Sequence, residues 1–447
     1  MRHTVAISDI HLCEIERTDG LWMRYRQAPY TPDRELAAML DALRDEVRGD
    51  ELCLVLNGDV FDFDAPRVID GKSVFHDLPR TAEHALPALA AMLDDHPEFV
   101  DALGRVLADG HEVVFVSGNH DVQMTLPELR ALLGERLHAA SGGRGTITFR
   151  AWFHETPDGV VLEHGNQYDA YCCYRAPMAP FCEDRREAHE IHPTMGSLTA
   201  RNLIARMGYF NPHVDGSFML SAFGYLTHWA RYYLFSRRSL AFAFARGAVR
   251  VLAELIRRRF PGTRAARHAN VRAAVSETGS SLGSVARHAR LFATPAQLST
   301  ILRELWVDRL AFALVTGVVG LVLFLVARGP VLAAAALAPA LFVTYELSIP
   351  KTELGETWQR VQRVARRVAR AHRARAVVFG HTHRPEGVWE DGVFYGNTGS
   401  WSPAYADLEC TTPLSRERPL IWLRSDGGEI EGGLVRWTEG GFQHTPA

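Results

Sequence analysis

At 447 residues the chain is longer than one ordinary domain, and with 47% hydrophobic residues and 22 Phe it is too apolar to be disordered. Its net charge of −3 hides an asymmetry: residues 175–309 hold 20 Arg against 9 Asp and Glu, which leaves the rest strongly acidic. The six cysteines form no C-x-x-C pair and no disulfide ladder, which argues against a cross-linked secreted fold and for a reducing compartment.

Met1-Arg2-His3-Thr4 leads directly into an apolar run, so no signal peptide is expected. That run, residues 4–8, reads as a strand delivering Asp9 and His11 at its end. Leu36, Met39, Leu40, Leu43 and Val47 have helical spacing over 33–48. LCLVLNGDVFDFD, 52–64, repeats the strand-then-acidic-turn pattern and places Asp59 and Asp62 after the strand. One helix is expected over 81–108, and HEVVFVSGNHD, 111–121, is a strand ending in Gly118, Asn119, His120 and Asp121. Short strands at 146–153 and 159–163 lead to His164. This alternation is that of βαβ units.

Between 171 and 355 the rhythm stops. Residues 218–260 mix aromatics with arginines, including Arg237 and Arg238, and suggest helices with a greasy and a basic face suited to a membrane surface. Residues 262–290 are small, polar and Arg-rich, and read as an exposed linker. A hydrophobic hairpin follows at 310–345: residues 310–327 carry no charge, Arg328-Gly329-Pro330 turns, and 331–345 is Ala-rich and interrupted by Pro339. Eighteen residues reach the lower limit for a bilayer span, and a pair that spans, a pair that dips in and a buried hairpin in a soluble insertion all fit. Arg303 and Arg309 before the hairpin and seven arginines from Arg360 to Arg375 after it fit the positive-inside pattern with both ends in the cytoplasm. The same seven also fit the solvent face of a helix whose Val361, Val364 and Val368 point inward.

After 376 the core pattern resumes. Val377, Val378 and Phe379 read as a buried strand, Gly380 as a sharp turn, and His381 and His383 as its products. Strands near 393–396, 420–424 and 429–437 complete the sheet. The expected units are therefore a core in two parts, 1–170 and 356–447, and a mainly helical insertion over 171–355.

Collected in order, the strand-end residues are Asp9, His11, Asp59, Asn119, His164, His381 and His383. Two carboxylates, one amide oxygen and four imidazoles, with no thiolate, suit two divalent ions with Asp59 bridging them. In D-x-H (Asp9, His11), G-D-x-x-D (Gly58 to Asp62), G-N-H-D (Gly118 to Asp121), His164-Gly165 and G-H-x-H (Gly380 to His383), the chain resembles the calcineurin-like metallophosphoesterase superfamily. The resemblance covers roughly 1–170 and 376–401 and says nothing about the insertion. It implies an α/β fold, a four-layer αββα sandwich interrupted by the insertion. It further implies that one metal takes Asp9, His11, Asp59 and His383, and the other Asp59, Asn119, His164 and His381. His120 would then stabilise developing charge or protonate the leaving oxygen, with Asp62 orienting it. Ser8, Asp121 and Asn397 would brace ligands, and Asn166, Tyr168 and Asp169, which follow His164 closely, would either line the substrate side or be solvent-exposed loop residues.

SDIHL, GDVFDF and GHTHRP look most like the bacterial UDP-2,3-diacylglucosamine diphosphatase subgroup, which cleaves a pyrophosphate in a membrane-bound lipid substrate. His120 stands where that subgroup typically has arginine, and the insertion is far larger than its helical lid. The leading expectation is a phosphoester or pyrophosphate hydrolase acting on a lipid-linked substrate at the cytoplasmic face of the membrane. Manganese is favoured by ligand type, with Fe, Zn or Co allowed. Two other classes fit: a phosphodiesterase for a soluble nucleotide with a regulatory or oligomerisation insertion, and a non-catalytic membrane scaffold. Nucleic acid is not expected, because the aromatics of the basic region come packed with long aliphatic runs.

Overall fold

The structure, a computed structural model, describes residues 1–17, 20–75, 78–181, 190–208, 222–235, 239–257, 264–296, 307–327, 341–345, 348 and 357–444. The strands are β1 (Arg2–Ile7), β2 (Glu51–Asn57), β3 (Arg67–Ile69), β4 (Lys72–Val74), β5 (Glu112–Val116), β6 (Thr146–Arg150), β7 (Phe153–Glu155), β8 (Val160–Glu163), β9 (Ala376–Phe379), β10 (Glu386–Glu390), β11 (Val393–Asn397), β12 (Arg418–Asp426), β13 (Glu429–Thr438) and β14 (Gly441–His444). They build a seven-stranded sheet, β14-β13-β12-β1-β2-β5-β6, and a five-stranded sheet, β10-β11-β9-β8-β7, with β3 and β4 as a separate hairpin. The fold is thus mixed α/β. β1, β2, β5 and β6 pair in parallel, and so do β8, β9 and β11. Parallel pairing aligns carboxyl ends along one edge, and every candidate ligand follows such an end.

Strand periodicity explains the packing. Val5, Ile7, Leu52, Leu54, Leu56, Val113 and Phe115 sit in one apolar cluster with α1 (Asp33–Glu46), α2 (Ala82–Asp95), α3 (Pro97–Ala108) and α4 (Pro127–Ser141). The alternate residues Ala6, Val55, Val114 and Val116 meet Val160, Leu162, Ala376 and Val378 of the second sheet. That sheet's other face, Val161, Val377 and Phe379, packs on Val361, Val364 and Val368 of helix Thr357–His372, as their spacing leads one to expect.

The helix expected over 81–108 is two. Pro97 lacks an N–H and biases His96 away from helical backbone, so α2 stops at Asp95 and α3 starts at Pro97. The expected strand 146–153 is likewise split into β6 and β7. The exposed linker expected over 262–290 is also corrected: Arg264–Thr278 and Leu282–Ala289 are helices, and their Ala274 and Val285 join the cluster beneath the second sheet. A narrow Ala and Val stripe among arginines hid that buried face.

The chain divides into two compact units, Met1–Pro295 with Arg360–Ala447, and Ala296–Gln359. The insertion expected from 171 is therefore distributed over both. Within the smaller unit, helix Val307–Ala327 runs 21 residues, and Phe312 meets the rings of Phe342 and Tyr345 at 5.9 and 5.8 Å. Residues 328–340 of the expected hairpin lie outside the described residues, as do Arg237, Arg238 and Arg303.

Candidate metal centre

Five of the seven candidate ligands sit in left-handed backbone: Asp9, His11, Asp59, His381 and His383 have φ between 52° and 65°. Such strain costs roughly 1 kcal/mol or more per residue and persists only where the surroundings enforce it. The enforcement is close contact between loops. A Cβ on Gly118 would stand 2.2 Å from Asp59 Oδ1, and one on Gly380 would stand 2.4 Å from Ser8 Oγ and 2.8 Å from Asp9 Oδ2. Gly380 thus serves close approach, and the turn expected of it is made by the two histidines themselves.

Asp9, His11 and His383 form one group, and Asp59, His164 and His381 a second, each with its ligand atoms within 4.8 Å of one another. The carboxylate oxygen Asp9 Oδ1 is buried and accepts no hydrogen bond among the described residues, yet His383 Nε2 is 3.0 Å from it and His11 and His164 Nε2 are each 4.0 Å away. Asn119 Oδ1 is buried and equally unmatched. Oxygens removed from water without a hydrogen bond are costly, and a cation satisfies them. These buried His and Asp groups could hold a metal ion.

The protonation chemistry points the same way. His164 Nδ1 donates to the Asn57 carbonyl at 3.0 Å, which leaves Nε2 facing Asp59 Oδ2 at 3.0 Å. Burial disfavours the charged imidazole, but the Asp59 and Asp9 carboxylates outweigh it and push its pKa up to about 9. Burial likewise opposes ionisation of Asp59, while His164 and His120 hold it well below the usual carboxylate range. His381 Nε2 faces Asp169 Oδ2 at 3.1 Å, so Nδ1 is the nitrogen left for the Asp59 group.

His120 donates from Nδ1 to Asp62 Oδ1 at 3.0 Å and lies 3.2 Å from Asp64 Oδ2. Burial lowers its pKa, but Asp62 and Asp59 raise it well above the ordinary imidazole value. Its backbone N–H donates to Asp59 Oδ1 at 2.7 Å, linking the third loop to the second.

The three residues expected to brace ligands are each hydrogen-bonded beside the two groups. Asp121 accepts from Gly118 and Val60 N–H at 2.6 and 2.8 Å. Asn397 donates to the Gly380 carbonyl at 2.7 Å, and Ser8 Oγ bonds Asp9 Oδ2. Asn57 donates to the carbonyls of Glu163 and Val378 at 2.9 and 3.3 Å, tying the sheets together beside the centre. Tyr168 departs from expectation: it is fully buried, bonded to Glu163 and His288, and lines no open surface. Asn166 is buried too and donates to the Cys172 carbonyl at 3.0 Å. Asp64 beside His120 and Cys172 beside Asp169 were not anticipated. Asp64 had a signal in the acidic run Asp59, Asp62, Asp64; Cys172 had none.

No family model matches this chain, and no curated protein matches it. What the site does has to be read from its own geometry.

Proposed function

We propose that this chain is a dinuclear-metal-dependent phosphoesterase of the calcineurin-like kind, built on a four-layer αββα sandwich, which hydrolyses a phosphoester or pyrophosphate bond in a lipid-linked substrate at the cytoplasmic face of a membrane. The observation that carries this reading is Asp9 Oδ1, a buried oxygen with three imidazole nitrogens within 4.0 Å. Asp9, His11, Asp59 and His383 would hold one divalent ion, and Asp59, Asn119, His164 and His381 the other. Oxygen and imidazole donors favour manganese. When bound, such a pair supplies Lewis-acid charge and an activated water for in-line attack on phosphorus.

The chain's own residues supply the rest. His120, whose pKa Asp62 and Asp59 raise against the effect of burial, is held by Asp62 and Asp64 where it can donate a proton to the leaving oxygen. Asp62 fixes the ring so that Nε2 is the donating atom. Asp169 orients His381, and the Asn57 carbonyl orients His164, which sets the nitrogen each presents.

The lipid part of the reading rests on exposed apolar surface. Leu226, Phe235, Phe242 and Val249 are exposed in the basic region, and Leu314, Val318, Leu321, Leu325 and Val326 on helix Val307–Ala327. Among the residues described to the side chain no helix is long and apolar enough to cross a membrane. The proposal is accordingly contact with the membrane surface, and residues 310–327 are its strongest apolar element.

The test is a panel of bis-p-nitrophenyl phosphate, free nucleotides, and UDP- or phospholipid-type substrates presented in vesicles, run on manganese-loaded protein with and without residues 310–345. Turnover that prefers the vesicle substrates, with membrane sedimentation lost on deletion, is the expected result. Preference for free nucleotides would favour the soluble phosphodiesterase, and no turnover with both ions bound would favour the scaffold.

A further inference from the structure

Beside the two groups already described lies a third, chemically different one. Asp169, Cys172 and His381 bring a carboxylate oxygen, a thiol and an imidazole nitrogen within 4.8 Å of one another. We infer that these three residues form a separate binding position for one thiophilic divalent cation, Zn²⁺ or Cd²⁺ in kind, adjoining the Asp9 and Asp59 groups through His381.

Local structure holds the three in place. Asp169 and Cys172 belong to one turn, in which the Cys172 and Cys173 N–H groups donate to the Asp169 carbonyl at 3.2 and 2.9 Å and the Tyr171 N–H donates to Asp169 Oδ1 at 2.8 Å. That leaves Asp169 Oδ2 for His381 Nε2 at 3.1 Å. The thiol is fixed on its other side by helix Met195–Thr199: a Cβ on Gly196 would stand 2.6 Å from Cys172 Sγ, so the helix backbone lies directly against the sulfur. Asp169 is buried, and Cys172 and His381 are of intermediate exposure, with side chains of His381 and Asp169 only 9% and 11% exposed. Three protein ligands and one water is a common zinc arrangement.

Ligand softness separates this position from its neighbours. Oxygen and imidazole alone suit manganese, whereas a thiolate selects zinc, cadmium or cobalt over manganese and magnesium. Binding would release to solvent both the thiol proton and the proton that His381 Nε2 shares with Asp169 Oδ2, so a soft cation here would loosen the carboxylate that orients His381 for the Asp59 group. The inference concerns metal binding alone and stands whether or not the chain hydrolyses phosphoesters.

Cobalt(II) titration of the full-length protein tests it, because a Co–S bond gives near-ultraviolet charge-transfer absorption that oxygen and imidazole ligands do not. The band should appear in wild type and in Cys173→Ser, vanish in Cys172→Ser, and need at least tenfold more Co²⁺ in Asp169→Asn, which keeps the thiol. Visible d–d absorption from cobalt at the other groups should persist in Cys172→Ser and Cys173→Ser, and an unchanged far-ultraviolet circular dichroism spectrum shows that each variant has folded. No charge-transfer band in wild type at saturating Co²⁺, a band that survives Cys172→Ser, or one unaffected by Asp169→Asn would overturn the assignment.

Discussion

His164 Nε2 stands 3.0 Å from Asp59 Oδ2 while His164 Nδ1 donates to the Asn57 carbonyl. The carbonyl fixes one proton on the ring, so what lies between Nε2 and the carboxylate is either a second proton or a cation. With the pKa pushed up to about 9, the proton wins in metal-free protein at neutral pH. Metal binding at pH 7 should therefore expel it, and affinity should rise with pH until about 9. Calorimetry of Mn²⁺ binding in buffers of different ionisation enthalpy measures this. At least one proton released per chain is expected in wild type, and a smaller release in His164→Gln.

His120→Gln should lower kcat by about 10²–10⁴-fold with metal content unchanged, since the proposed role is proton donation. Its charge is stabilised by Asp62 and Asp59 against the cost of burial, so activity should decline with rising pH only well above 6.5. That basic limb should disappear in the variant. Loss of bound metal in His120→Gln would instead make the residue a ligand.

Gly118→Ala tests the close approach of loops directly. A methyl group 2.2 Å from Asp59 Oδ1 and 2.6 Å from its backbone nitrogen has to displace the carboxylate. Metal affinity should fall roughly 10- to 100-fold, the range seen when the supports of metal ligands are removed. Unchanged affinity with unchanged fold would mean the Asp59 loop is not held as tightly as described.

Most of the strand framework was legible, because β1, β2, β5, β8 and β9 are short apolar runs each followed by a polar or glycine-containing turn. The same runs showed which residues leave the strand ends, so Asp9, Asp59, His164, His381 and His383 could be named before their proximity was known. The supports were less visible. Asp64, Asp169 and Cys172 act across loops distant in sequence, and the positive φ of Asp9, His11, Asp59, His381 and His383 has no side-chain signature. The helices over 264–289 were missed because Ala274 and Val285 are small and surrounded by arginine, so their burial left little hydrophobic signal. His96-Pro97 was a readable helix break, overlooked because the apolar periodicity runs through it.

The same His96 makes a stability prediction remote from the centre. Its Nδ1 faces Asp33 Oδ2 at 2.7 Å and its Nε2 the Cys13 carbonyl at 2.9 Å, so both nitrogens meet acceptors and both must carry protons. Burial opposes the charge, but Asp33 holds the pKa above 6.5. A raised folded-state pKa stabilises fully below the unfolded value near 6.5, and the contribution is lost as pH climbs through the folded value. His96→Leu should cost on the order of 3 kcal/mol at pH 6, since it leaves Asp33 without its buried partner. The difference in urea midpoint from wild type should narrow at alkaline pH.

Asp59 is the residue proposed to join the two metal positions. Metal content of purified wild type and Asp59→Asn, measured by mass spectrometry after manganese loading and desalting, addresses it most directly. Two divalent ions per wild-type chain, at most one in Asp59→Asn, and loss of bis-p-nitrophenyl phosphate hydrolysis in the variant are the expected results. Fewer than two ions in wild type, or the same content and the same hydrolysis in Asp59→Asn, would contradict it.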